Sequence, residues 1–116
     1  MSPLAHAIYK QLLRRARSPE PSITYAELAG GLGARSLHPR SPRLHRALGE
    51  LANACRHRSL PCLPALVWRA DTRRPSDGYY KVAHPRAHTG AARVAAWERE
   101  HARVLAELES FPPRLE

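Results

Sequence analysis

The stretch that decides the predicted fold is residues 41–55, SPRLHRALGELANAC. Ser41-Pro42 is typical of a helix start, because serine caps a helix and proline fits its first turn. Apolar side chains then recur at the spacing of a helix that buries one face, at Leu44, Leu48, Leu51 and Cys55. The stretch therefore predicts an amphipathic helix that packs on a core.

The opposite face of this helix is polar and mostly basic. It carries, at offsets of three or four, Arg43, Arg46, Glu50, Asn53 and His57, with Arg40 just before the helix. Arginine can contact guanine edges and asparagine can contact adenine edges in a major groove. Two interpretations stay open from the pattern alone: a DNA-recognition helix and a solvated helix face.

Two further helices are predicted upstream. Ser2-Pro3 starts the first, which runs to about Arg17 and has Lys10 and Arg14 on its polar side. The second begins at residues 24–27, TYAE, which form a capping box, and the glycines at 30, 31 and 33 end it early. Three helices in this order, with a short second one, match the start of a helix-turn-helix domain.

A β-hairpin and a fourth helix are predicted downstream. Residues 65–68, ALVW, are typical of a buried strand, and residues 79–82, YYKV, of its partner. The polar loop between them carries Arg73 and Arg74, and Lys81 lies in the second strand, so this hairpin is a candidate wing. From Thr89 a last helix is expected to pack through Trp97, with a dimerising helix as the alternative.

The prediction is thus an α+β, mostly helical fold: a winged helix-turn-helix of three helices, a β-hairpin wing and a C-terminal helix. We expect a single domain over residues 1–110 and a C-terminal tail over residues 111–116. A three-helix bundle with a hairpin attached for another purpose has the same outline. The fold class alone therefore does not decide the function.

The composition favours a nucleic-acid partner. The 116 residues carry 19 basic and 10 acidic side chains, a net charge of +9, and arginine dominates the basic set. Arginine forms bidentate contacts with phosphate, although a GC-rich genome would also raise the arginine content. No apolar run reaches membrane-spanning length, so we expect a cytoplasmic protein, associated with the nucleoid if it binds DNA. Two cysteines and scattered histidines predict neither a metal site nor a cofactor.

Four short motifs occur in a recognisable order: residues 23–29 (ITYAELA), 46–49 (RALG), 60–62 (LPC) and 78–79 (GY). Together they resemble the C-terminal winged-helix domain of O6-alkylguanine-DNA alkyltransferases and alkyltransferase-like proteins, over roughly residues 22–110. The resemblance implies that Tyr25 crowds the DNA backbone at the target nucleotide and that Arg46 fills the space left by a flipped base. It also places Cys62 at the position of the alkyl acceptor.

The sequence departs from that family beside the cysteine. Leu63-Pro64 follows Cys62 where the family has histidine and arginine. A reactive thiolate needs a neighbouring base or positive charge to lower its pKa. We therefore expect Cys62 to be a structural thiol and the chain not to be an enzyme. The connection between helices two and three, and the wing, are also longer than the family pattern.

The leading functional prediction is a winged-helix protein that binds double-stranded DNA with helix three in the major groove, held mainly by phosphates. The predicted contacts are Arg43, Arg46 and Asn53 in the major groove and Lys10, Arg14, Arg73, Arg74 and Lys81 at phosphates; Tyr25 and Arg40 complete the predicted DNA-binding residues. One alternative is a small basic module that docks on an acidic protein to inhibit or recruit a nucleic-acid enzyme. Another is an alkyltransferase-like factor that binds DNA lesions.

Overall fold

The computed structural model describes residues 1–33 and 37–115 and shows an α+β fold. In chain order the elements are α1 (Pro3–Ala16), β1 (Ile23–Thr24), α2 (Tyr25–Gly30), α3 (Pro42–His57), β2 (Val67–Trp68), α4 (Asp77–Ala83) and α5 (Gly90–Ala106). Short 3-10 helices span Leu63–Leu66 and Leu108–Ser110. Of the helices in the described ranges, none is long and apolar enough to cross a membrane.

The predicted starts of the helices are confirmed, and local capping explains three of them. The Ser2 hydroxyl accepts a hydrogen bond from the Ala5 amide at 3.2 Å, so α1 begins where the sequence predicts. At α2 the Thr24 hydroxyl accepts from the Glu27 amide and the Glu27 carboxylate accepts from the Thr24 amide, both at 3.0 Å. Thr89 caps α5 in the same way as Ser2 caps α1.

The third helix also begins at its predicted residue, and its apolar stripe is buried as expected. The buried side chains of α3 are Leu44, Ala47, Leu48, Leu51, Ala52 and Cys55. The helix ends in a Schellman motif, in which the amide of Leu60 donates to the carbonyl of Cys55 and that of Ser59 to the carbonyl of Arg56. Ser59 takes the left-handed position of this motif, with φ of 56°.

The core lies where α1 and α3 pack on each other and both pack on the 3-10 helix Leu63–Leu66. Helix α5 covers the same 3-10 helix. Trp97 is buried there and its Nε1 donates to the carbonyl oxygen of Ala65 at 2.9 Å, as the predicted packing requires. Residues 111–115, expected as a tail, also contribute Phe111 and Leu115 to the buried core.

The predicted β-hairpin is wrong. Val67–Trp68 is a strand, but it pairs in parallel with β1, with Ile23 opposite Val67 and Thr24 opposite Trp68. Residues 79–82, predicted as the second strand, lie in α4. Two local interactions favour this helix: Asp77 in its first turn suits the positive end of the helix dipole, and Lys81 pairs with Asp77 one turn on at 3.0 Å. A helix therefore occupies the place of the expected wing strand.

Candidate nucleic-acid interface

The exposed face of α3 carries the residues predicted for DNA contact. Arg43, Arg46 and Asn53 are exposed, on the side of the helix opposite its buried stripe, and Arg40 is exposed just before it. Within residues 1–33 and 37–115, no carboxylate forms an ion pair with the guanidinium of Arg40, Arg43 or Arg46. Their positive charge is therefore available to a ligand. We call Arg40, Arg43, Arg46 and Asn53 the α3 surface.

The acidic residue of α3 is held by a different part of the chain. Glu50 Oε1 accepts hydrogen bonds from the backbone amide of Ser2 at 2.9 Å and from its hydroxyl at 2.7 Å. These bonds hold the pKa of Glu50 below its usual value. The carboxylate is thus tied to the start of α1, where a cleft of about 350 Å³ separates Pro3 and Leu4 from Arg43 and Arg46.

An apolar pocket of about 250 Å³ lies on the other flank of α3, between this helix and α4. Its lining includes Tyr25, His45, Gly49, Pro64, Tyr79 and Val82. Because Gly49 has no side chain, the α3 side of the pocket is open at this residue. A methyl group there would lie 3.7 Å from Val82 Cγ2, an ordinary contact that narrows the pocket without a clash.

One wall of this pocket is a stacked pair of rings. The rings of Tyr25 and His45 lie 5.1 Å apart at an angle of 26°. The Tyr25 hydroxyl accepts from the amide of Ser76 and is also 3.0 Å from the Ser76 hydroxyl. His45 Nε2 donates to the carbonyl oxygen of Pro39 at 2.9 Å. Hydrogen bonds to Ser76 and to Pro39 therefore fix the orientation of the Tyr25 and His45 rings.

Tyr25 does not project from the surface. Only 8% of the residue is exposed, and it lines both the apolar pocket and a second cleft of about 420 Å³. Arg40 and Arg69 also line the second cleft. The guanidinium of Arg69 donates two hydrogen bonds to the Asp71 carboxylate, at 3.0 and 2.7 Å. The resemblance implies that Tyr25 contacts the DNA backbone, and this contact remains a prediction. Tyr25 would have to make it from a buried position that borders two clefts.

The predicted phosphate contacts fall into three groups. Lys81, on α4, lines the apolar pocket beside α3 and pairs with Asp77. Arg73 and Arg74 are exposed in the loop after β2, and Arg73 has a left-handed backbone with φ of 55°. Lys10 and Arg14 are exposed on α1. The structure therefore places the predicted phosphate contacts on three different elements, and of these Lys81 lies beside the pocket between α3 and α4.

Cys62 lies in surroundings that keep its thiol protonated. Burial raises the pKa of the thiol well above its usual value, and nearby Cys55 and Glu100 act in the same direction. The Cys62 amide donates to the Glu100 carboxylate at 2.6 Å, which holds a negative charge beside this residue. A protonated thiol is a poor nucleophile.

Sequence reasoning missed most of the pocket lining. Tyr79 belongs to the GY motif, so the family resemblance could have identified it as a candidate site residue. His45 had none, since it is one of several scattered histidines, and Ser76 reaches Tyr25 only through the tertiary fold. In comparisons with protein-family models, with curated proteins and with solved structures, no match to this chain was found.

Proposed function

We propose that this protein binds double-stranded DNA through the α3 surface. The observation that carries the proposal is the group of exposed guanidiniums of Arg40, Arg43 and Arg46, which no described carboxylate neutralises. Glu50, the one acidic residue in the sequence of α3, is bound by Ser2. Two unpaired arginines on one helix face, with a third just before the helix, fit the polyanionic backbone of a duplex and its guanine edges.

In this proposal α2 and α3 act as a helix-turn-helix variant with a long connection, part of which lies outside the described residues. Helix α3 enters the major groove with Arg43, Arg46 and Asn53 toward the bases. The loop after β2 takes the place of a hairpin wing and brings Arg73 and Arg74 to flanking phosphates. Most of the affinity comes from phosphates, so binding weakens steeply with salt.

The proposal is tested by measuring duplex affinity for Arg43→Ala/Arg46→Ala. Each bidentate base contact is worth about 1–3 kcal/mol, so losing two lowers the affinity by at least about 30-fold. Arg86→Ala/Arg99→Ala is the matched control, because both arginines are exposed on the α4–α5 side and the change in net charge is the same. Unchanged affinity in a folded double variant contradicts the proposal. It would favour docking of the α3 surface on an acidic protein.

A second candidate function is recognition of an extrahelical base, as in an alkyltransferase-like lesion-binding factor. The observation that favours it is the apolar pocket beside the α3 surface. Arg46 is one residue from His45 and three from Gly49 along α3, and both of those line the pocket. A base leaving the duplex next to Arg46 would thus meet an apolar site walled by Tyr25 and His45.

This second candidate predicts tighter binding to a duplex with one O6-alkylguanine than to the unmodified duplex. Gly49→Leu fills the pocket from the α3 side, so the variant loses the preference and keeps its affinity for plain duplex. Gly30→Leu is a control glycine substitution of the same size at an exposed helix position with open space around it. Equal binding of both duplexes by the native protein contradicts lesion recognition while leaving duplex binding intact.

A further inference from the structure

The apolar pocket between α3 and α4 has the size and lining of a small-ligand site. Its volume of about 250 Å³ lies below the usual range for drug-sized ligands, so it admits a molecule with a single small ring system. Aliphatic side chains and a proline form much of the wall, namely Leu48, Ala52, Pro64, Val67 and Val82. A wall of this kind favours a ligand that buries apolar surface.

Three aromatic side chains complete the lining, and their polar atoms are already hydrogen-bonded. The hydroxyl of Tyr25 and Nε2 of His45 make the hydrogen bonds described above. The Tyr79 hydroxyl lies 2.8 Å from Nε2 of His84. The rings therefore offer their carbon surfaces, and they are held in place before a ligand arrives. A planar aromatic ligand packs well on such rings, and a preformed wall loses little entropy on binding.

Lys81 supplies positive charge to the pocket. Of the described residues that line it, none is acidic. The Lys81 ammonium pairs with Asp77 Oδ2 at 3.0 Å, but both side chains are more than half exposed, and such ion pairs contribute little to stability. The other oxygen, Asp77 Oδ1, accepts from Arg93 at 2.6 Å. Lys81 can therefore turn to an anionic ligand without leaving the Asp77 carboxylate unpaired.

We propose that this pocket binds a small planar aromatic anion, with its ring among the apolar walls and its anionic group on the ammonium of Lys81. The inference goes beyond the proposed function, because the ligand is a free molecule and not part of a nucleic acid. Helix α3 supplies His45, Leu48 and Gly49 of the lining. A bound ligand therefore contacts the helix that carries the α3 surface, and it occupies the space that an extrahelical base would need.

The test is a calorimetric titration with cinnamate, an aromatic carboxylate, and with cinnamamide, its uncharged analogue of similar shape. The native protein binds cinnamate saturably and at least about fivefold more tightly than cinnamamide, because a hydrogen bond between two charged groups is stronger than one to a neutral group. Amide chemical shifts on addition of cinnamate cluster within residues 45–52 and 76–82. Absence of saturable cinnamate binding, equal affinity for the two compounds, or shifts confined to other segments would overturn the inference.

Two substitutions test the two parts of the site. Lys81→Met removes the charge and keeps an unbranched chain, so the variant binds both compounds with the affinity that the native protein has for cinnamamide. Arg86→Met is the matched control, because it removes the same charge from an exposed residue outside the pocket lining, and it keeps the preference for cinnamate. Gly49→Leu fills the pocket and weakens binding of both compounds at least about tenfold. Gly30→Leu, with open space around it, leaves both affinities unchanged.

The variants also state what contradicts the inference. A native preference for cinnamate in Lys81→Met, or its loss in Arg86→Met, shows that Lys81 does not hold the anion. Native affinities in Gly49→Leu show that the ligand does not enter the pocket. If Gly49→Leu does not fold, Lys81→Met still decides, because Lys81 is exposed. These titrations contain no DNA, so a negative result leaves the proposed function standing, and a failure of duplex binding leaves this inference standing.

Discussion

Glu50 Oε1 lies 2.7 Å from the hydroxyl of Ser2 and 2.9 Å from its amide nitrogen, which joins the middle of α3 to the start of α1. This contact has two consequences. It fixes how α1 sits against α3, and it keeps a negative charge in the middle of an otherwise basic face. Changes at Glu50 therefore affect stability and affinity in opposite directions.

Glu50→Gln removes the negative charge from the α3 face and retains one oxygen that can accept from Ser2. We expect duplex affinity to rise, because the variant lacks the negative charge that repels DNA phosphates beside Arg43 and Arg46. We expect the free energy of unfolding to fall by about 1 kcal/mol, because a neutral acceptor replaces a charged one. Fluorescence anisotropy and thermal unfolding measure the two effects. A fall in affinity at low salt would contradict this account of the α3 surface.

The same contact sets a pH dependence. The pKa of Glu50 is lower in the folded protein than its usual value of 4.5, because Ser2 donates to the charged form. Its contribution to stability is therefore complete above that value and is lost as the pH falls through the pKa of the folded state. Between pH 5 and pH 3 the native protein should lose more stability than Glu50→Gln. If the unfolding free energies of the two proteins fall equally between pH 5 and pH 3, Glu50 does not contribute to the pH dependence as described.

His101 should destabilise the protein when it becomes protonated. Its Nε2 lies 2.8 Å from the hydroxyl of Ser22, its ring stacks on Trp68, and burial holds its pKa below 6.5. Because the unfolded chain takes up the proton more readily, stability is complete above pH 6.5 and falls as the pH drops below it. His101→Gln should show a smaller loss of unfolding free energy between pH 7.5 and 5.5 than the native protein.

Ser59→Gly should stabilise the fold. Ser59 has φ of 56° at the end of α3, a conformation that costs a residue with a side chain about 1–2 kcal/mol. Glycine adopts it freely but loses more entropy on folding, so the net gain is about 0.5–1 kcal/mol. Chemical denaturation measures the gain, and Ser41→Gly, at a helix start where the hydroxyl makes no capping bond, is the comparison.

Cys62 should react slowly with alkylating reagents in the folded protein. Burial raises the pKa of its thiol, so little thiolate forms near neutral pH. Mass spectrometry after incubation with a duplex containing O6-alkylguanine should find no transfer of the alkyl group to the chain. Stoichiometric transfer to Cys62 would show that the site is reactive and that the structural interpretation of this cysteine is mistaken.

The sequence was sufficient for those parts of the fold that depend on local interactions. Thr24 and Glu27 cap α2 with each other, and the apolar stripe of α3 identifies its buried face within a single helix. The parallel pairing of Ile23 with Val67 could not be predicted, because it joins two-residue strands that are far apart in the chain. Helix α4 was missed because Tyr79, Tyr80 and Val82 are aromatic or β-branched and favour a strand, whereas the Asp77–Lys81 ion pair favours a helix.

For the candidate site, too, the sequence predicted the part that depends on a single helix and missed the part that depends on tertiary packing. Arg43, Arg46 and Asn53 were found because one helix face presents all three, whereas the apolar pocket depends on α3, α4 and the segment around Pro64 meeting in space. Helical spacing assigns Lys10 and Arg14 to one face of α1, but where that face lies relative to α3 depends on how the two helices pack.

The most direct measurement of the central claim is a titration of the isotopically labelled protein with a short duplex, followed by amide chemical shifts. If the α3 surface contacts DNA, the largest shifts cluster between residues 40 and 53, with smaller ones at Arg73 and Arg74, and they shrink as salt is raised. Shifts confined to α5, or an α3 whose amides do not move at saturating duplex, would contradict the account.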